Sequence, residues 1–271
     1  MINPIITLTS DYGTKDYFIS SVKAFILKEL EAIDIVDISH EITPFHLGEC
    51  AYIIRNSYHH FPKGTIHIIG IDSEKKSDRK NIIAKVDGHY FIGLDNGIFS
   101  LIFQNKEPEL IFEIHLPPNF HSTFPMKDVF AKTACMFLKG VKLESIGDES
   151  PVFLSKKHSL PTVTNNNKTI HAQIIYIDRF GNSISNISKK YFETIRENRN
   201  FSISLPRTYK VDKISSTYND VNEGSILALF NSAGFLEISI NRLNTNEGGA
   251  NTLLGIKQGD NIIIDFFETN E

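Results

Sequence analysis

The 271-residue sequence lacks the features that mark secreted, redox-active and membrane proteins. Cysteine occurs only twice, at Cys50 and Cys135, and neither residue lies in a Cys-x-x-Cys pair. We interpret both as small buried apolar side chains of a protein in a reducing compartment. No apolar run approaches the ~20 residues that span a bilayer, and no charged segment precedes an apolar one at the amino terminus. We therefore predict a cytoplasmic protein without a membrane partner.

The sequence also lacks an excess of positive charge. The formal net charge is −4, and 22% of the residues are charged. Because binding to a phosphate backbone requires a basic face, we do not expect a nucleic-acid partner. Hydrophobic residues make up 41% of the chain, which is long enough for one large or two ordinary domains with substantial cores.

Several common catalytic motifs are missing from the chain. The sequence has no Gly-x-Gly-x-x-Gly, no Gly-x-x-x-x-Gly-Lys-Ser/Thr and no Gly-x-Ser-x-Gly, so dinucleotide, P-loop and α/β-hydrolase sites lack their characteristic elements. The ten histidines include no His-Glu-x-x-His, and the adjacent pair His59 and His60 would diverge by roughly 100° on a helix. We expect neither a bound metal nor a cofactor.

What is present over residues 1–154 is an alternation of strands and helices. Apolar and β-branched runs predict strands, and periodic segments between them predict helices. The predicted strands are 5–10, 33–38, 65–71, 82–86, 90–93 and 110–115, and the predicted helices are 17–30, 47–59 and 129–138. This order is typical of an α/β domain with a mainly parallel sheet.

The pattern changes after residue 154. Residues 155–169 are polar, with Lys156, Lys157 and three consecutive asparagines, so we expect a linker between domains. Residues 170–271 contain short strands without alternating helices, at 170–177, 201–205, 225–230, 235–240 and 261–266. We predict a small antiparallel β-barrel in this second domain.

Polar turns follow several of the predicted strands in the first domain. Asp11, Asp72 and the pair Asp95-Asn96 each come at a strand end, and ligands of open α/β sheets bind outside the carboxyl ends of strands. The alternative for Asp11 is an ordinary turn residue or helix cap, as for Thr14 or Asp16 before the first helix. In the second domain, Asp178 to Asn182 and Asn231 to Gly234 form comparable turns, and simple β-turns are an equal alternative there.

A set of short motifs in a fixed order resembles one protein family. The motifs are Thr-Leu-Thr-Ser-Asp-Tyr-Gly at 7–13, Asp-Ile-Ser-His-Glu-Ile-Thr-Pro-Phe at 37–45, Asp-Asn-Gly at 95–97, Ser-Thr-Phe at 122–124, Ile-Asp-Arg-Phe-Gly-Asn at 177–182 and Asn-Ser-Ala-Gly-Phe-Leu-Glu-Ile at 231–238. Together they resemble the S-adenosylmethionine hydrolases, also called S-adenosylmethionine hydroxide adenosyltransferases, whose relatives include fluorinases and chlorinases. The resemblance implies an α/β domain followed by a β-barrel, and a homotrimer whose sites lie between subunits. It also implies attack of water on the ribose C5′ of S-adenosylmethionine, giving adenosine and methionine.

The resemblance implies a role for each matching residue. Asp72 and Arg79 would hold the attacking water, and Asp11 would accept hydrogen bonds from both ribose hydroxyls. The other implied substrate contacts are Asp16 at the methionine end, Phe45 and Phe124 as apolar walls, and, from the neighbouring subunit, Phe180 stacked on adenine, Asn182 at its amino edge, and Asp178 and Ser232 at the methionine ammonium and carboxylate.

One part of the resemblance fails at the predicted catalytic centre. The family's histidine directly follows Ser-Thr-Phe, where this sequence has Pro125, with Met126 in place of a small residue. Two interpretations follow. In the first, the protein hydrolyses S-adenosylmethionine with Asp72 and Arg79, assisted by His121; in the second, it binds S-adenosylmethionine or adenosine with lost or altered turnover. A halogenase is disfavoured, because Pro125 and Met126 do not supply a serine hydroxyl for a halide. A glycine-containing insertion at 244–250 lies near the expected adenine contact.

Overall fold

A computed structural model describes residues 3–74, 79–104, 106–157, 159–243 and 248–268. Residues 75–78, in the polar run after Asp72, and residues 244–247, in the insertion, lie outside the described residues. The chain divides into two compact units, Met1–Lys157 and His158–Glu271. This division falls inside the segment 155–169, which also contributes a short strand to the second unit. Over the described ranges, no helix combines the length and the apolarity needed to cross a membrane.

The first unit is built on a seven-stranded sheet. Its strands are β1 Ile5–Ser10, β2 Asp34–Ser39, β3 Ile66–Gly70, β4 Asn81–Val86, β5 His89–Leu94, β6 Leu110–Ile114 and β7 Gly147–Glu149. Its helices are α1 Phe18–Glu29, α2 Leu47–Arg55, α3 Ile98–Phe103, α4 Lys132–Leu138 and α5 Leu143–Ile146, with a π-helical turn Met126–Ala131 before α4 and a 3₁₀ turn Tyr58–His60 after α2. The strand order is β2-β1-β3-β5-β4-β6-β7.

The predicted α/β class is confirmed, and the parallel pairings are confined to one half of the sheet. Strands β2, β1, β3 and β5 pair in parallel, whereas β5, β4, β6 and β7 pair antiparallel. The antiparallel half begins with the predicted hairpin of β4 and β5. Strands β1 and β3, which lead directly into the Asp11 and Asp72 turns, therefore both belong to the parallel half.

Helices cover both faces of this sheet, which explains why its central strands β1 and β3 are buried on both sides. Ile6 and Leu8 pack with α1, the π-helical turn and α4 on one face. Ile69 and Ile71 pack with α2 and α3 on the other. Cys50 and Cys135 are buried and unpaired, one in each of these cores, as expected. Burial raises the pKa of the Cys135 thiol to about 11, so this side chain is neutral and apolar in character.

The start of α1 differs from the prediction. The residue that precedes the helix is Tyr17, and neither Thr14 nor Asp16 caps it. A capping side chain must lie immediately before the first helical residue, and both candidates lie too early in the loop. The hydroxyl of Thr14 donates instead to Glu41 Oε1 at 2.9 Å. The Asp11 loop is therefore tied to the loop after β2.

The second unit is a nearly closed barrel, as predicted. Its strands are β8 Thr162–Thr164, β9 Thr169–Ile177, β10 Ser183–Ser188, β11 Asn200–Ser204, β12 Lys210–Val211, β13 Ile214–Ser215, β14 Ile226–Phe230, β15 Phe235–Ile240 and β16 Asn261–Phe267, and its helices are α6 Lys189–Arg196 and α7 Ala250–Leu254. The order is β12-β11-β16-β9-β10-β15-β14-β13, with β8 beside β9. Strands β12 and β13 stand at opposite ends of this order but are only two residues apart in sequence, so the sheet must curl until its edges meet.

Two buried histidines lie inside the first unit. His67 on β3 has Nδ1 2.7 Å from the hydroxyl of Thr7 and Nε2 3.4 Å from Nδ1 of His89 on β5. The ring of Tyr58 packs edge-on against both. Desolvation, reinforced by the neighbouring His89, lowers the pKa of His67 to about 3, and burial also lowers the pKa of His89. Both side chains are therefore neutral in the folded protein near pH 7.

Replacing His67 with glutamine should flatten the acid dependence of stability. Between pH 6.5 and about 3 the unfolded chain protonates His67 and the folded chain does not, so wild-type stability falls as the pH falls. The cost is up to ~1.4 kcal/mol per pH unit for one such group. We expect urea unfolding of H67Q to show a smaller loss of stability between pH 6.5 and pH 4.5 than wild type. The same change at the exposed His171 should keep the wild-type slope. Equal slopes for H67Q and wild type would contradict the assignment.

Candidate active site

The loops that follow β1 and β2 meet at one edge of the sheet. Asp11 Oδ2 accepts a hydrogen bond from the backbone N–H of Phe45 at 2.9 Å, and the N–H of Gly13 donates to the carbonyl of His40 at 2.8 Å. Phe45 has a left-handed backbone (φ 64°), and the residue is 69% exposed. Asp11 therefore does not cap α1. It bridges two loops, and a carboxylate has acceptor positions left for the hydroxyls of a ligand.

The buried side chains of Ser10 and His40 support the loop that begins at Asp11. The hydroxyl of Ser10 lies 2.7 Å from His40 Nδ1, and His40 Nε2 lies 3.1 Å from Asp37 Oδ1, although that second contact is not aligned as a hydrogen bond. Ser10 is fully buried, so this arrangement cannot present a nucleophile to a substrate. The backbone N–H of Tyr12 also donates to the Ser10 hydroxyl, at 3.4 Å. Sequence reasoning missed this cluster because its members lie 30 residues apart.

At the end of β3, Asp72 and Arg79 form an ion pair. Arg79 Nη1 donates to Asp72 Oδ2 at 2.7 Å, and both side chains are about four-fifths buried. Asp72 has a left-handed backbone (φ 41°), which is unfavourable for a residue other than glycine. Asn96 supports this conformation, because its Nδ2 donates to the carbonyls of Ile71 at 2.9 Å and Asp72 at 3.2 Å. The two predicted catalytic residues are thus paired in the structure, and Asn96 stabilises the backbone that carries Asp72.

An aromatic cluster lies beside both loops. The rings of Tyr12, Phe18 and Phe124 have centroids 5.2 to 5.7 Å apart. The hydroxyl of Tyr12 lies 2.9 Å from that of Ser73, the residue after Asp72. Burial raises the pKa of Tyr12, and the negative charge of Asp11 adds to the effect, so its hydroxyl is neutral at physiological pH. The predicted apolar residue Phe124 is thereby connected to the Asp72 loop through Tyr12.

Pro125 begins the π-helical turn directly after Phe124. Its backbone (φ −58°) already has the helical value, so the helix starts earlier than predicted. Met126 is fully buried against Gly70, where a Cβ would lie 2.6 Å from the methionine sulfur. Met126 is therefore a core residue. Pro125 and the exposed His121 both line an open cavity of about 1030 Å³.

Asp16 lies in the same loop as Asp11 but is exposed to solvent. The neighbouring Tyr17 is 69% exposed and stacks on Phe18, with ring centroids 4.7 Å apart. Asp16 is therefore at the outer end of the aromatic cluster. Its predicted contact with a substrate stays a prediction.

In the second unit, Asp178 shapes the turn between β9 and β10. Its Oδ1 accepts from the backbone N–H groups of Phe180 at 2.8 Å and Asn182 at 2.9 Å, and its Oδ2 accepts from Asn182 Nδ2 at 2.9 Å. The Phe180 ring is 60% exposed, whereas Asn182 is buried. Because the amide nitrogen of Asn182 is bound to Asp178, its carbonyl oxygen is the end that can accept a hydrogen bond from an amino group.

A cavity of about 420 Å³ opens next to this turn. Asp178, Phe180 and Asn182 line it together with Tyr218. Ser232 is exposed on the separate turn between β14 and β15 and does not line this cavity. That turn is shaped by Asn231, whose Oδ1 accepts from the N–H groups of Ala233 and Phe235, both at 3.1 Å.

Buried Glu237 connects the cavity-lining Tyr218 with the Asn231 turn. It accepts hydrogen bonds from the hydroxyl of Tyr218 at 2.8 Å and from Nδ2 of Asn231 at 3.1 Å. It is only 2% exposed. Sequence reasoning missed Tyr218 and Glu237, although a carboxylate inside the apolar run of β15 is the signal that could have found the latter.

The candidate site residues of the first unit supply hydrogen-bond acceptors, the Asp72–Arg79 ion pair and an aromatic surface. Asp11 can accept from hydroxyl groups, and Asp72 with Arg79 can orient a small polar molecule. The part of the chain that the structure describes contains no group of three or more His, Cys, Asp or Glu side chains that could hold a metal ion.

Comparison with known proteins relates both units to one family. The model described as "SAM hydroxide adenosyltransferase N-terminal domain" matches residues 6–147, and that of the C-terminal domain matches residues 172–263. An (R)-S-adenosyl-L-methionine hydrolase of Methanocaldococcus jannaschii is 32% identical over 87% of this chain and 88% of its own length. The protein of the same name from Thermus thermophilus is 27% identical over 92% of this chain and 95% of its own.

A solved structure also matches nearly the whole chain. It is an uncharacterized conserved protein from Thermotoga maritima, with a TM-score of 0.83 and 27% identity, and the match covers 96% of this chain and 99% of that one. The matches to the family models extend over most of both units and include the Asp11, Asp72 and Asp178 turns described above. The chain therefore belongs to the SAM hydroxide adenosyltransferase family.

Proposed function

We propose that the protein hydrolyses S-adenosylmethionine to adenosine and methionine. The observation that carries the proposal is the Asp72–Arg79 ion pair, held at the same sheet edge as Asp11. The names of the relatives from Methanocaldococcus jannaschii and Thermus thermophilus support the same substrate and reaction.

In this reaction a water oxygen forms a bond to the ribose C5′ as the bond from C5′ to sulfur breaks. The bonding electrons leave with the sulfur as methionine, and the water loses a proton. The positive sulfonium is already a good leaving group, so the protein contributes mainly by orienting the water in line and by excluding bulk solvent. Asp72 would accept a hydrogen bond from the water, and the hydrogen bond from Arg79 would hold the carboxylate in the correct orientation.

The substrate would be bound by the first unit of one subunit and the second unit of a neighbouring subunit. Asp11 would accept from the ribose hydroxyls, Phe45 and Phe124 would form apolar walls, and Asp16 would contact the methionine end. Phe180 would stack on adenine, Asn182 would accept from its amino group, and Asp178 and Ser232 would hold the amino-acid end. The proposal includes a homotrimer in which neighbouring subunits share each site, in a cytoplasmic protein that needs no cofactor.

Replacing Asp72 with asparagine should abolish most of the turnover. The neutral amide cannot act as the ionised partner of Arg79 or draw a proton from the water, and such assistance is worth ~10²–10⁴-fold in rate. We expect the kcat for adenosine and methionine release, followed by chromatography, to fall by at least ~100-fold.

The matched control is Asp87→Asn on the hairpin between β4 and β5. Asp87 also has a left-handed backbone (φ 52°) and is ion-paired, to Lys63 at 3.0 Å. D87N should retain the wild-type kcat. Equal activity of D72N and D87N would remove Asp72 from the mechanism, and a wild-type protein that releases no adenosine would overturn the proposal.

Replacing Asp11 with asparagine should weaken adenosine binding. The amide oxygen can still accept from Phe45, but the charged acceptor for the ribose hydroxyls is lost, and hydrogen bonds to charged groups contribute ~1.5–3 kcal/mol. We expect a Kd for adenosine about 10- to 100-fold higher by calorimetry. Asp34→Asn, at an exposed position on β2, should bind as wild type. Unchanged affinity in D11N would count against the ribose assignment.

A binding protein with little turnover is the second candidate, and Pro125 is the observation that favours it. The family histidine is expected at this position, and the proline side chain can neither donate nor accept a proton. Pro125→His should raise kcat, with an upper limit set by general-base assistance of ~10²–10⁴-fold. Pro118→His, elsewhere on the same cavity, should not. Binding of S-adenosylmethionine without turnover by both wild type and P125H would favour the binding protein.

A further inference from the structure

Asp72 has an unfavourable backbone conformation, and three contacts hold it and the adjacent residues Ile71 and Ser73 in place. A left-handed backbone is unfavourable for a residue such as aspartate, and it persists only where the surroundings enforce it. Asn96 binds the carbonyls of Ile71 and Asp72, and Arg79 binds the Asp72 carboxylate. The third contact is the hydrogen bond between the hydroxyls of Ser73 and Tyr12 at 2.9 Å. This third contact differs from those of Asn96 and Arg79 because Tyr12 belongs to the loop that contains Asp11.

The hydroxyl of Tyr12 is fixed in place by its own surroundings. Its ring packs against both Phe18 and Phe124, with centroid distances of 5.5 and 5.7 Å. Its backbone N–H donates to Ser10. Ser73 is 6% exposed, so water competes weakly for the hydrogen bond between the two hydroxyls. The contact is therefore largely shielded from solvent.

The hydrogen bond between Tyr12 and Ser73 matters for the proposed reaction because each of its residues adjoins a carboxylate of the candidate site. Tyr12 directly follows Asp11, and Ser73 directly follows Asp72. In the proposed reaction, Asp11 sets the position of the ribose and therefore of C5′, whereas Asp72 sets the position of the water. In-line displacement depends steeply on the geometry of the two reacting atoms, and a ~1 Å misplacement can cost ~10²-fold in rate.

We propose that Tyr12 is a positioning residue that sets the distance between the sugar-binding and water-holding carboxylates through its hydrogen bond to Ser73. This inference rests on the proposed function. Tyr12 acts through Ser73 and the two loops and is not assigned a proton transfer. Its removal should therefore lower kcat and leave substrate affinity unchanged.

The test uses Tyr12→Phe, Ser73→Ala and the double variant in the full-length protein. Y12F keeps the ring packing and removes only the hydroxyl. We expect each single variant to lower kcat by about 10- to 100-fold, which is the range of a sub-ångström to ~1 Å displacement. KM for S-adenosylmethionine and Kd for adenosine should stay at wild-type values. The double variant should be no slower than the slower single variant, because both changes break the same link.

Tyr90→Phe is the matched control for the loss of a phenol hydroxyl. Tyr90 is partly buried in the first unit and packs on Phe137, with centroids 4.6 Å apart. Y90F should keep the wild-type kcat, and Y12F and Y90F should melt at similar temperatures. A kcat loss in Y12F without a drop in melting temperature separates positioning from general destabilisation.

Three results would overturn the inference while leaving the proposed function intact. They are a wild-type kcat in Y12F, multiplicative losses in the double variant, and a rise in KM at constant kcat, which would make Tyr12 a binding residue. A wild-type protein that forms no adenosine would overturn the proposed function and this inference with it. The two failures are therefore distinguishable.

Discussion

Parallel pairing of β1 with both β2 and β3 determines where the polar residues of the first unit lie. In the observed register Thr9 is opposite Ser39, and Ser10 is opposite Gly70. The chain therefore leaves all three strands at nearly the same level, and the loops that follow must contact one another. An antiparallel neighbour would have placed its loop at the opposite edge of the sheet. The contacts from Asp11 to the loop after β2, and from Tyr12 to the loop after β3, depend on this register.

Side chains in these loops compensate for unfavourable backbone conformations. Phe45 and Asp72 are both left-handed without being glycine. The backbone N–H of Phe45 donates to the carboxylate of Asp11, and the backbone carbonyl of Asp72 accepts from the side chain of Asn96. Asp178 performs a similar task in the barrel, where it orients the amide of Asn182. The polar groups of the candidate site are thus held in place by contacts within the protein itself. A ligand that fits them loses less binding free energy to the ordering of the protein.

The sequence was most informative where one residue type or one spacing carried the signal. Apolar runs predicted the main strands, and the family resemblance singled out Asp72 and Arg79, although their ion pair was not predicted. Contacts that depend on strand register could not be predicted from the sequence. Examples are the contacts of Tyr12 with Ser73 and of Ser10 with His40, because each joins residues 30 or more positions apart. Strand β10 was missed since Ser183 and Ser185 are polar yet buried in the barrel. The helix cap was predicted wrongly because Tyr17 itself adopts a helical backbone.

The closure of the barrel has a consequence for how the second unit opens. Strands β12 and β13 are each two residues long, and the two connecting residues 212–213 join them covalently. The longer ladders between β9, β16, β10 and β15 lie on the far side of the strand order. Local opening of the backbone costs the least free energy where the fewest hydrogen bonds must break. The seam at β12 and β13 is therefore where backbone amides should exchange with solvent first, while the wall that carries the Asp178 turn stays protected.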